Sequence, residues 1–80
     1  MPQTTPMALT GVSTEALEKL LRHLYRNEIE APFTPVNLSL VGMQYATEML
    51  MQSLRGLDQA GVRAVLVAVI AERRAQESRP

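Results

Sequence analysis

The chain has 80 residues, eight basic and eight acidic side chains, no formal net charge and no cysteine. That length allows one domain, and the lack of cysteine excludes a disulfide framework, thiolate chemistry and a cysteine-based zinc site. An apolar fraction of 46% at zero net charge excludes a wholly disordered chain, and zero charge gives no global attraction to nucleic acid or an anionic membrane.

Residues 1–11 carry neither a basic stretch nor an apolar run, so they do not read as a signal peptide. Their prolines and threonines read as a flexible tail. The longest apolar stretch, residues 64–71, falls far short of the ~20 residues that span a bilayer. The expectation is a cytoplasmic protein without a membrane span, with a single helical domain over residues 12–77 and frayed residues 78–80.

Three helix starts carry their own signals. Ser13, Thr34 and Asp58 each stand where a side-chain oxygen can accept from an unpaired backbone N–H of the first turn. Val12 with Leu17, Phe33 with Leu38 and Leu57 with Val62 have the spacing of a hydrophobic staple across each cap. Pro35 suits a first helical position, and Gly56 suits a left-handed residue closing the second helix. The two prolines of the 31–35 segment disfavour helix before them.

The first predicted helix covers roughly residues 14–29. Leu17, Leu20, Leu21, Leu24 and Tyr25 make one apolar stripe, and Glu15, Lys19, Arg22, His23, Arg26 and Glu30 lie opposite. The second covers roughly 35–55. Val36, Leu40, Met43, Leu50, Leu54 and Leu57 form one stripe, Leu38, Val41, Tyr45 and Met49 nearly oppose it, and a flank of small residues includes Gly42 and Ala46. The third covers roughly 59–76, with Val62, Val65, Leu66, Val69 and Ile70 on a bulky face and Ala60, Ala64, Ala68, Ala71 and Ala75 on a separate ridge. Its β-branched run, 62–70, also has the composition of a strand. The cap at Asp58, the alanines and the charged continuation favour helix.

The pattern predicts an all-α, three-helix unit with a tight hairpin between helices two and three. Two of these helices are apolar on more than one side. A second copy would cover the surplus, so the expectation is a homodimer with self-association through Gly42, Ala46, Ala64, Ala68 and Ala71. The competing arrangement is a monomer whose tail, through Met7 and Leu9, covers one face.

Chemistry is sparse. His23 is the only histidine and reads as a solvated surface side chain rather than a metal ligand. Glu28 and Glu30 are two apart and share no helix face. No serine stands in a nucleophile-elbow motif, and the four glycines are too scattered for a phosphate loop. Neither an enzyme nor a cofactor is expected. Lys19, Arg22 and Arg26 each have a glutamate four residues away, which reads as a self-neutralised face. With Met51 they form a candidate surface for a protein partner. The functional expectation is a protein–protein interaction module: an adaptor, regulatory subunit or assembly protein. The alternative is a dimeric helix-turn-helix-like DNA-binding regulator reading bases with Gln59 and Arg63, two polar residues where base readout needs several.

Overall fold

The computed structural model describes residue 9 and residues 11–78; Met7 and the other residues of both termini lie outside that range. The described residues form four α-helices, α1 (Thr14–Tyr25), α2 (Pro35–Leu40), α3 (Thr47–Ser53) and α4 (Gln59–Glu77), with a 3-10 turn over Gln44–Ala46 leading into α3. The fold is all-α, with no strand among these residues. The count of three helices is corrected, because the predicted second helix is two helices meeting at a turn. The stretch 62–70 lies wholly within α4.

All three starts form at the expected caps. Ala16 N–H donates to Ser13 Oγ at 3.1 Å, and Gly61 N–H donates to Asp58 Oδ1 at 2.8 Å. At α2, Asn37 N–H donates to Thr34 Oγ1 while Thr34 N–H donates to Asn37 Oδ1, a reciprocal box in which Asn replaces the usual Glu or Gln. The staple residues Val12, Leu17, Phe33, Leu38 and Val62 are buried, and Leu57 is partly so.

The helix ends depart from the periodicity. After α1, Asn27 adopts φ +59°; its N–H donates to the Leu24 carbonyl and Glu28 N–H to the His23 carbonyl. After α2, Gly42 adopts φ +78°; its N–H donates to the Ser39 carbonyl and Met43 N–H to the Leu38 carbonyl. Both are Schellman closures, which satisfy the last free carbonyls with the two residues beyond the cap. In the second, Met43 and Leu38 are also both buried, the apolar contact that accompanies this motif. The closures end α1 at Tyr25 rather than 29 and stop α2 at Leu40 rather than 55. Gly56 is left-handed at φ +82°, as expected.

The core gathers Leu17, Leu20 and Leu24 from α1, Leu38 from α2, Leu50 from α3, and Val62 and Leu66 from α4. Each buried leucine contributes about 1.5–3 kcal/mol of transfer free energy. α4 packs along α1. The two run antiparallel, since Glu18 meets Arg74 at one end and Tyr25 meets Arg63 at the other. Leu9, within the segment read as a tail, is buried; the Arg73 guanidinium donates to its carbonyl at 2.8 Å and also to that of Val12.

Four expected core side chains are outside. Tyr25 is 59% exposed, Val36 71%, Leu40 78% and Tyr45 62%. For the last three the turn at Gly42 is the cause. It re-phases the chain, so residues that line up on one continuous helix fall on unrelated sides of two short ones. Tyr25 is the last residue of α1, where it lies under Arg63 instead of in the core.

Candidate interaction surfaces

The outer face of α1 is where structure and sequence differ most in consequence. Glu18 does not turn to Arg22, four residues on. It accepts from Arg74 of α4, Nε to Oε2 at 3.2 Å and Nη2 to Oε1 at 2.8 Å. Glu77 takes a third donor of the same guanidinium at 2.9 Å, and Glu18 first, then Glu77, holds Arg74 above its ordinary range. Glu30 is no longer helical, so it cannot sit one turn beyond Arg26. His23 Nδ1 pairs with Glu28 at 2.5 Å, a contact set up by the closure that brings Glu28 back over the end of α1. Lys19, Arg22 and Arg26 are all exposed and make no ion pair among the described residues. The expectation of a self-neutralised face is therefore corrected: the three cations are not matched locally. The Lys19 ammonium extends to the turn at Gly42, 4.0 Å from where a β-carbon there would lie.

A second surface lies between the C-terminal end of α1 and the exposed side of α4. Tyr25, Ala60, Arg63, Ala64, Val67 and Ala68 line a shallow groove of about 610 Å³. The Arg63 guanidinium carbon lies 5.6 Å from the centre of the Tyr25 ring, within cation–π range. Val67 is 45% exposed, and Ala60, Ala64, Ala68, Ala71 and Ala75 continue the exposed side along the helix. The bulky face of α4 is turned inward, so its two predicted faces are resolved as inside and outside. Of the five expected self-association residues, Ala64, Ala68 and Ala71 share this surface. Ala46 is buried in the core of its own chain, and Gly42 sits in the turn that closes α2. Those two do not join the ridge, because the continuous helix that would have aligned them does not form.

Met51 is partly buried and lines a separate cavity of about 400 Å³ between α3 and the 31–33 segment. Phe33, Leu50, Leu54 and Val62 form its apolar floor, with Glu48 and Arg55 among its polar residues. The wall is fixed by Gln59: Ala31 N–H donates to its Oε1 at 2.7 Å, and its Nε2 donates to the Ile29 carbonyl at 3.3 Å. Gln59, a candidate base-reading residue, thus spends both ends of its amide inside the chain. Arg63, the other, is stacked on Tyr25.

Among the described residues no group of three or more acidic or histidine side chains is arranged to hold a metal ion, and no helix is long and apolar enough to cross a membrane. Every buried side-chain nitrogen or oxygen described has a hydrogen-bond partner. Sequence reasoning missed Asn27, Arg73 and Arg74. An asparagine after an apolar stripe is a legible closing signal; nothing local to the two arginines announces their partners. Comparison of the chain with family models, with curated proteins and with solved structures finds no match.

Proposed function

We propose that this chain is a non-enzymatic protein–protein interaction module, an adaptor, regulatory subunit or assembly protein, that works as a small helical homo-oligomer. One observation carries the reading: α4 runs for 19 residues with a full apolar side left outside the core, Ala64, Val67, Ala68 and Ala71 beside the exposed Tyr25. An α-helix of that length is about 28 Å long. Small side chains let a second helix approach closely. An antiparallel pairing centred between Val67 and Ala68 sets Ala64 opposite Ala71 of the partner subunit and Ala60 opposite Ala75 of the partner subunit. The same patch then serves both copies, as a two-fold interface requires. The protomer in this reading is the four-helix unit with its short link at Gly56, completed by a second copy.

Light scattering after gel filtration, over a concentration series, tests the proposal. A dimer or larger species for the native chain and a monomer for Ala68→Arg is the expected result. A native chain that stays monomeric throughout the series removes the homo-oligomer. The DNA-binding alternative has less support, since Gln59 is occupied within the chain and the net charge is zero.

A further inference from the structure

We infer that the outer face of α1 is a docking surface for a short acidic segment of another protein. The inference rests on the interaction-module reading, but not on the α4 ridge. Lys19 and Arg22 lie on α1 and Arg26 is its C-cap residue, at spacings of three and four, so the three positions share one side of the helix over about 10 Å. Two independent features keep them unmatched among the described residues. Arg74 draws Glu18 away across the interhelical contact, and the closure at Asn27 ends the helix before Glu30 can fall beneath Arg26. Glu15 stays on the same face but makes no ion pair with Lys19 among the described residues.

The complementary ligand carries several carboxylates within one or two helical turns. A protein segment suits this better than nucleic acid. The chain as a whole has no positive excess to draw a polyphosphate, and the three cations cover only a short length. Charges of this kind raise the association rate and select partners more than they add raw affinity.

The full-length chain is titrated, by fluorescence anisotropy at physiological ionic strength, into a labelled peptide of Glu, Leu and Ala with glutamate at i, i+3 and i+7. A peptide with Gln in place of Glu and a single-stranded oligonucleotide of matched length serve as comparisons. The expected result is saturable binding of the Glu peptide that weakens as salt is raised. It falls about tenfold in the double variant Arg22→Gln/Arg26→Gln, is unchanged in Arg55→Gln, and is absent for the Gln peptide. No saturable binding, indifference to the double variant, or tighter binding of the oligonucleotide would each overturn the inference. Repeating the titration with Ala68→Arg keeps the two readings apart. Peptide binding by a monomeric variant upholds the α1 surface whatever the fate of the oligomer, and an oligomer that ignores the peptide keeps self-assembly while removing the docking surface.

Discussion

Arg74 holds Glu18 in a paired, two-donor contact across the α1–α4 interface, at 2.8 and 3.2 Å, although Arg22 stands one helical turn from the same carboxylate. Across the packed interface the Arg74 guanidinium reaches both carboxylate oxygens, with one N–H group to each. A neighbour on the same helix offers only a few tenths of a kcal/mol. Both side chains are partly exposed, so the pair is screened by solvent and salt. Arg74→Met is therefore expected to lower the thermal midpoint slightly at low ionic strength, with the difference closing as salt is added. The same change frees Glu18 to face Arg22, and binding of the Glu peptide weakens with it. Because its partners raise the arginine above an already high range, it stays charged across the neutral range and adds no pH dependence there. A thermal-melt series across salt, with the anisotropy titration, checks both effects.

The turn at Gly42 makes a prediction whose sign is decisive. In a continuous helix, Gly→Ala would stabilise by up to about 1 kcal/mol. At φ +78°, an L-residue costs roughly 1–2 kcal/mol instead. Gly42→Ala is expected to destabilise by that amount in urea denaturation. A stabilised variant would restore the single helix over 35–55.

Gln59 joins the first turn of α4 to the backbone of Ile29 and Ala31. Gln59→Ala leaves that N–H and that carbonyl without their partner in a partly buried place, at about 1–3 kcal/mol. The measurement is the urea midpoint, with hydrogen exchange at Ala31 as the local readout. Exchange there that is no faster than in the native chain would contradict the role given to Gln59.

Leu66 is fully buried between α4 and the rest of the core. Leu66→Ala is expected to cost about 2–5 kcal/mol, the transfer term plus the cavity it leaves. A domain's whole stability is about 5–15 kcal/mol, so this single change takes much of it. The urea midpoint falls steeply. Ala71→Ser, on the outer side of α4, is expected to leave the urea midpoint within about 0.5 kcal/mol at concentrations where the chain is monomeric.

What was legible in the sequence is what is decided within one turn of helix. Ser13, Thr34 and Asp58 cap because their oxygens reach an N–H three residues away, and that geometry needs no distant partner. The two faces of α4 are legible for the same reason. Asn27 and Gly42 carry readable closing signals as well, but the apolar spacing running through Gly42 makes the second helix read as continuous. An apolar stripe states that residues share a face only if the helix persists, and at Gly42 it does not.

Only the tertiary structure decided the candidate site. Glu18 has Arg22 within a turn and Arg74 on another helix, and the choice between them depends on α4 lying antiparallel to α1. The cationic character of α1 follows from that choice. Likewise, Val36 and Leu40 face outward while Met43 is buried, because the chain bends between them. Local sequence determines where helices begin and which residues can share a face. Which charges remain unmatched, and which apolar sides remain uncovered, is decided by contacts between residues far apart in the chain, whose geometry exists only after the helices have packed.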